Sequence, residues 1–436
     1  MKKYDSYKDS GVEWIGEIPQ SWSITRIGVN SDLTVPQRDK PKDLTGPIPW
    51  LRIEDFGDKY VSASKSNQGV NQETIDAMNL KVYPVGTVLT ACSCTMGMTA
   101  IVEKPLITNQ TFIGITPKEN LDAVYLYYFL KASTQYLNSI SSGAIQSYLS
   151  RSEFSKLRIP KISIEEQTQI ANYLDHKTTQ IDHLIAKKEQ FIQLLEEERV
   201  AVINQAVTKG LDPNVPMKDS GIEWLGEIPE HWEVKRIKHM LSEPLKYGAN
   251  ESAEEENLDD PRYIRITDFG NDGKLKANTF KSLPYSKAEN FLLSEGDILF
   301  ARSGATVGKT FFFNDYKGIA CFAGYLIKAS CDRQLMIPEF LYEFTNTGSY
   351  NNWKQSIFQQ STIQNIGADK YNQLKIAIPP ISEQKAIVEF LKNKSNEIAL
   401  IITKTEQEVE LLKEYKTALI SEVVTGKVDV RNEKLN

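Results

Sequence analysis

The side chains best suited to chemistry lie in one polar, glycine-bearing stretch, Ser303-Gly304-Ala305-Thr306-Val307-Gly308-Lys309-Thr310. A phosphate-cradling loop is built from similar parts: backbone N–H groups between two glycines wrap the phosphate, and a lysine reaches its oxygens. That loop needs four residues between its glycines before Gly-Lys-[Ser/Thr], and here only Ala305, Thr306 and Val307 intervene. Nucleotide binding is therefore disfavoured. Arg302 and Lys309 on either side, with the hydroxyls of Ser303 and Thr306, suit contact with backbone phosphates and insertion into a groove; a purely structural turn is the alternative.

Other chemistry is thin. The four cysteines, Cys92, Cys94, Cys321 and Cys331, form no Cys-x-x-Cys pair, and His176, His183, His231 and His239 do not gather around them. Zinc sites use tighter spacing, so reduced, partly buried thiols are expected. His176 and His183 share a helix face, but no carboxylate or thiol completes a metal set, and solvated positions are expected. There is no Gly-x-Gly-x-x-Gly fingerprint, no Asn-Pro-Pro-aromatic tetrad of an adenine methyltransferase, and no repeated carboxylate cluster for a catalytic metal. The expectation is a chain without catalysis of its own, without cofactor and without metal.

Composition sets the class. The chain has 436 residues, 41% apolar and 25% charged, as a multi-domain globular protein should. No apolar run approaches the roughly 18–20 residues that cross a membrane. Met1-Lys2-Lys3-Tyr4-Asp5-Ser6-Tyr7-Lys8 is polar where a signal peptide would turn apolar, so a cytoplasmic location is expected. Net charge is −6, but six carboxylates (Glu251, Glu254, Glu255, Glu256, Asp259, Asp260) fall between Asn250 and Pro261. Without them acidic and basic residues are equal in number, so any surface for a polyanion is a local basic patch.

The scaffold that must position these groups is written twice. KDSGVEWIGEIPQSW (Lys8–Trp22) and KDSGIEWLGEIPEHW (Lys218–Trp232) agree at eleven of fifteen positions. The match resumes at Leu51–Gly57 against Ile264–Gly270, at Pro84–Leu89 against Ser294–Leu299, and at Leu157–Ile159 against Leu374–Ile376, each of the last leading into Glu166-Gln167 or Glu383-Gln384. Between these matches the copies diverge, Asn30–Ile48 against Leu241–Tyr263 among them. The first copy's counterpart of the glycine loop is Ser93-Cys94-Thr95-Met96-Gly97-Met98-Thr99, which has no lysine; Ser93 and Thr95 are its polar candidates. Gln146, Ser147 and Tyr148 in one copy, and Gln359, Gln360, Ser361, Thr362 and Gln364 in the other, precede the return to shared sequence. Glutamine can bond adenine through two hydrogen bonds and a hydroxyl can serve any base edge; an ordinary polar loop is the alternative. Arg52/Asp55 and Arg265/Asp268 recur in both copies. An internal ion pair or turn is favoured for them over contact with a ligand that differs between copies. Trp14, Trp22, Trp224 and Trp232 lie in the repeat and are expected to pack a core or join modules.

Each copy changes period once. Short apolar runs broken by Gly, Pro, Asn and Asp, such as Thr87–Thr90 and Asp297–Phe300, read as strands and turns, interrupted by helical patches at Leu121–Leu137 and Pro338–Trp353. A 4-3 spacing then takes over: Ile170, Leu174, Lys177, Ile181, Leu184, Lys188, Phe191, Leu195, Glu198 and Val202, and later Ile387, Leu391, Lys394, Ile398, Ile401, Thr405, Glu408, Leu412, Tyr415 and Leu419. Apolar residues fill seven of each ten, the seam of a coiled coil. At about 1.5 Å per residue each helix would reach about 65 Å.

The opening KDSG-[VI]-EW-[IL]-GEIP, the linker GLDPNVPMKDSG, Gly296–Lys309 and the IPP-x-x-EQ run at 378–384 resemble the specificity subunit of type I restriction–modification systems, over nearly the whole chain. The first copy departs from the pattern at Cys92–Gly97. The resemblance implies an α/β (α+β) fold: two tandem mixed α/β target-recognition domains separated by two long antiparallel coiled-coil helices, related by a pseudo-twofold repeat. It implies a first recognition domain at 1–160, helix and linker at 161–217, a second recognition domain at 218–377, and helix and tail at 378–436. Its implied partners are double-stranded DNA, read as two half-sites, two methyltransferase subunits, and restriction/translocase subunits in the full complex. The candidate DNA-contacting residues are Arg52, Ser93, Thr95, Gln146, Ser147, Tyr148, Arg265, Arg302, Ser303, Thr306, Lys309, Gln359, Gln360, Ser361, Thr362 and Gln364. A two-headed protein–protein scaffold, favoured by the acidic 250–261 stretch, is the alternative; steep salt dependence of binding to random duplex would separate the two.

Overall fold

The computed structural model describes residues 2–37, 39–93, 96–141, 148–252, 254, 256–270, 273–304, 306–358 and 365–433. The chain divides into two compact units: Met1–Glu189 with Glu406–Asn436, and Gln190–Thr405. The division does not follow chain order. The first unit is closed by the end of the chain and the second is continuous.

The two units use one architecture, as the repeat requires. The first holds an antiparallel ribbon (Tyr7–Asp9 with Glu17–Pro19), and the second has its counterpart in Met217–Asp219 with Glu227–Pro229. A second antiparallel pair joins Ser23–Arg26 to Arg158–Lys161, and correspondingly Glu233–Arg236 to Lys375–Ile378. The central sheet runs, by neighbour, Ser31–Thr34, Phe112–Pro117, Val88–Ala91, Thr99–Val102 and Tyr60–Val61 in the first unit. In the second it runs Lys246–Tyr247, Leu326–Ala329, Ile298–Ala301 and Thr310–Phe312. Two helices cover it in each unit, Ala123–Ala132 and Thr134–Ile140, or Pro338–Thr345 and Gly348–Phe358. The central strands are buried along their whole length, which is why Val88-Leu89-Thr90-Ala91 and Ile298-Leu299-Phe300-Ala301 read as unbroken runs rather than alternating ones.

The repeated Glu-Gln pair ties sheet domain to long helix. Gln167 is buried on the first turns of Ile164–Lys209; its Oε1 accepts from Asp122 N at 2.8 Å, and its Nε2 donates to the carbonyls of Asn120 and Ile162. Gln384, on Ile381–Val424, repeats this with Ile337 N at 2.8 Å and the carbonyls of Leu335 and Pro379. The neighbouring carboxylates accept from the buried indoles: Trp22 Nε1 donates to Glu166 at 3.2 Å and Trp232 Nε1 to Glu383 at 3.1 Å. Each indole also packs against the far end of the other copy's long helix. A Cβ on Gly426 would stand 2.7 Å from the Trp22 ring, and one on Gly210 would stand 3.4 Å from the Trp232 ring.

The helix seam corrects the sequence reading. Ile170, Leu174, Ile181 and Leu195 are buried as expected, but Leu184 and Phe191 are 43% and 46% exposed, and Ile185 and Ile192 pack inward instead. In the second helix Ile402 and Val409 are buried, Glu408 and Tyr415 face outward, and Ile401 is only partly covered. Two phases of a 4-3 repeat share Ile181, Lys188, Leu195 and Val202 and differ by one residue at every second step. Both phases are apolar at 184/185 and at 191/192, so spacing alone did not choose between them. The helices pair antiparallel inside each unit. Asp182 meets Lys416 at 2.6 Å and Lys188 meets Glu408 at 2.5 Å in the first; Leu195 packs with Ile398 and Ile402 in the second.

Candidate nucleic-acid interface

In both units a β-hairpin delivers the divergent loop. Strands Ile298–Ala301 and Thr310–Phe312 pair antiparallel, and Gly308 N to Ala301 O (2.7 Å) with Ala301 N to Lys309 O (2.9 Å) closes the hairpin beneath the loop. Gly308 has φ of +77°, and a Cβ there would sit 2.3 Å from Lys354 Cδ. Its counterpart Gly97 has φ of +89° and the same problem with Thr134. The stretch runs strand–loop–strand. The helix N-terminus that gives a phosphate loop its anion affinity is not at its end.

The loop is stitched to the segment that returns to the long helix. Ile366 N donates to Arg302 O at 2.9 Å, and Ser303 faces Asn365 in an antiparallel bridge. Leu149 N donates to Cys92 O at 2.9 Å, and Ser93 faces Tyr148. In the first unit two candidates 55 residues apart, Ser93 and Tyr148, therefore meet, and in the second Ser303 meets Asn365, 62 residues on and next to the candidate run at 359–364. Ser93 is buried, Ser303 half-buried, and Tyr148, Thr306 and Lys309 are exposed. Thr95, Gln146, Ser147, Gln359, Gln360, Ser361, Thr362 and Gln364 lie outside the described residues. Behind the second hairpin a cavity of about 480 Å³ is lined by Thr306, Lys309, Asn351 and Lys354. Burial there holds the Lys354 ammonium below its usual lysine range.

The recurrent arginines sit elsewhere and are engaged. Asp268 is fully buried and grips Arg265 through Nε (3.2 Å) and Nη2 (2.9 Å), while Arg265 Nη2 also donates to Thr279 O at 2.8 Å. Asp268 Oδ2 and Asp55 Oδ2 each accept, at 2.7 Å, from the backbone N–H of the arginine three residues earlier, capping a 3-10 turn. Arg52 differs: its guanidinium turns to Glu54, 2.5 Å away. In both copies the aspartate is the turn-former.

The three described thiols are held protonated, and Cys94 lies outside the described residues. Burial pushes Cys92 up to about 11 and Cys321 and Cys331 up to about 12. Among the described residues no group of three or more His, Cys, Asp and Glu could hold a metal, and no helix is long and apolar enough to cross a membrane. Sequence reasoning passed over Tyr247 and Lys354, which brace the loop from other elements. The recurrence of Arg52/Asp55 and Arg265/Asp268 pointed to the turn and ion pair found there, and the repeated Trp22 and Trp232 to the core they fill.

Comparison with known proteins agrees with this geometry. The chain matches the type I restriction modification DNA specificity domain twice, over residues 35–194 and 229–411. It is 26% identical over 444 residues to the type I restriction enzyme MjaIX specificity subunit of Methanocaldococcus jannaschii, covering 95% of each chain. It is also 26% identical over 290 residues to the EcoKI specificity subunit of Escherichia coli, covering 64% of this chain and 60% of that one. A solved structure of a type I restriction–modification system shares the fold with a TM-score of 0.72, at 16% identity over 94% of this chain and 99% of that chain. The HsdS subunit from Thermoanaerobacter tengcongensis does so with a TM-score of 0.60, at 16% identity over 94% and 98%. With the domain matched once in each copy of its repeat, the chain belongs to the type I restriction–modification DNA specificity family, as a non-catalytic specificity subunit.

Proposed function

We propose that the protein reads a bipartite duplex target, residues 1–160 reading one half-site and residues 218–377 the other. The observation that carries this is the pair of hairpin loops. Their backbone stitching is the same at Ser93/Tyr148 and Ser303/Asn365, while their side chains differ. A common backbone with different side chains is what two readers of different base sequences need. Ser93, Thr95, Gln146, Ser147 and Tyr148 would serve one half-site, and Arg302, Ser303, Thr306, Lys309, Gln359, Gln360, Ser361, Thr362 and Gln364 the other. Arg52 and Arg265 act through the turns they occupy. The paired helices fix the distance between half-sites, and linking two readers raises affinity by effective concentration.

The same reading assigns docking of two methyltransferase subunits to the helices, with restriction and translocase subunits completing the assembly. The apolar residues left outside the seam support it: Leu184, Leu411 and Tyr415 in the first unit, and Phe191, Leu194 and Leu400 in the second. Such a stripe on a helix already paired once suits a further helix. Exchanging residues 30–150 for the matching region of a related subunit, in a host carrying the full system, tests the proposal. Mapping of methylated adenines should show one half-site replaced and the other intact. A change in both, or in neither, overturns it.

A further inference from the structure

We infer that Arg302 reads a guanine of the second half-site, with Tyr247 as the residue that positions it. The inference rests on the two-reader proposal and assigns one contact within it.

The backbone of Arg302 is held on both sides: its N–H donates to Tyr325 O at 3.0 Å and its carbonyl accepts from Ile366 N at 2.9 Å. The side chain leaves that fixed point across Tyr247, the guanidinium carbon 4.9 Å from the ring centroid. Tyr247 is itself anchored, its hydroxyl accepting from Ala368 N at 2.9 Å. Arg302 Nε is buried and has no hydrogen-bond partner. With Nε turned inward and the plane fixed by the ring, the two terminal nitrogens are the part left to meet a ligand.

The other arginines of this region are engaged. Arg262 donates to Lys276 O, Arg265 pairs with Asp268, and Arg333 donates to Glu295 O. Among the described residues Arg302 has no carboxylate partner. A planar, charged fork on a polar loop matches two acceptors side by side, the O6 and N7 of guanine in the major groove. A phosphate would also accept from it. Lys309, exposed on the same hairpin, is the point charge that suits a phosphate, whereas the braced planar fork of Arg302 suits two acceptors side by side. In the first unit the same stitched position holds Cys92, 3% exposed, so the contact belongs to the second half-site alone.

The test uses the full chain assembled with its methyltransferase subunits and duplexes carrying the target mapped in the host. Each guanine of the second half-site is replaced in turn by 7-deazaguanine, which lacks the N7 acceptor. Wild-type binding should fall about ten- to hundred-fold at one guanine only. Arg302→Ala should be insensitive to that replacement and should accept other bases at that position, with the first half-site unchanged. Tyr247→Leu should relax the same single position to a smaller degree, which a general loss of packing would not do. The inference is overturned if no second-half guanine responds in the wild type. It is equally overturned if Arg302→Ala weakens all duplexes alike with the sequence preference retained, the mark of a phosphate contact. Failure of the wild type to modify any bipartite site would instead sink the two-reader proposal.

Discussion

The two units answer one folding problem with different materials, and the differences are confined. Where the first sheet closes with a neutral pair, Thr87 Oγ1 to Thr116 Oγ1 at 2.9 Å, the second uses a charged network. Asp297 accepts from Ser330 Oγ at 2.6 Å and lies 3.9 Å from Lys328, which reaches Glu243 at 2.9 Å; Glu243 also pairs with Lys246. Where the first loop offers buried Cys92 and Ser93 and half-buried Met98, the second offers Arg302, Ser303 and Lys309. By contrast, the Glu-Gln tie, the indole against the helix end and the capped turn after Arg52 or Arg265 are the same in both. What holds sheet to helix is fixed; what faces a ligand, and how the sheet edge is sewn, is free to vary.

The largest expected effect tests the shared part. Gln167→Ala and Gln384→Ala each remove three hydrogen bonds between a buried amide and the backbone, and each should cost about 3 kcal/mol in denaturant unfolding. The two losses should agree within about 1 kcal/mol; a large inequality would mean the ties are not equivalent. Next comes the sewn edge. Hydrogen bonds from Lys246 and Lys328 hold the Glu243 carboxyl at about 2, below its ordinary 4.5. A depressed carboxylate stabilises fully above its unfolded value and loses that stabilisation as pH falls through the folded value. Between about pH 4.5 and 2 the second unit should lose about 1–2 kcal/mol after allowance for solvent screening, and Glu243→Gln should remove that slope. Acid unfolding followed by hydrogen exchange, unit by unit, reads it.

Smaller effects concern the loops and the outer stripe. Lys309→Ala should lower the slope of log affinity against log salt by about 0.9 on random duplex, and Met98→Lys should raise it by a similar amount. If Met98→Lys did nothing, the two hairpins would not present equivalent surfaces. Phe191→Ser, on an exposed position, should change stability by less than about 0.5 kcal/mol. It should nonetheless weaken assembly with methyltransferase subunits in sedimentation, whereas Leu195→Ser should damage the fold itself.

Much of the architecture was legible because duplication writes each constraint twice. Matching Gly86-Thr87-Val88 to Gly296-Asp297-Ile298 places both central hairpins at once, and the two Glu-Gln pairs mark both helix starts. Spacing was less informative at the seam, where Leu184 and Ile185, or Phe191 and Ile192, are equally apolar neighbours and only packing selects one. The site was half legible. Glycines and lysine marked the second loop, but the stitching of Ser303 to Asn365 is a backbone contact across more than sixty residues, which no local pattern encodes. Tyr247 was invisible for the same reason: an aromatic on a two-residue strand carries no sign of the guanidinium it will hold.

The closing of the first unit by residues 406–436 sets an order of events during synthesis. The contiguous second unit has all its parts once residue 405 has left the ribosome, whereas Trp22 waits for Gly426, Tyr125 for the Val424 carbonyl it bonds at 3.2 Å, and Tyr4 for Arg431, 4.6 Å above its ring. At about 5–20 residues per second, the roughly 240 residues after Glu189 take about 10–50 s to arrive. Over that interval the amino-terminal half is complete in sequence and incomplete in core, reversing the usual vectorial order in which the first domain made is the first to fold.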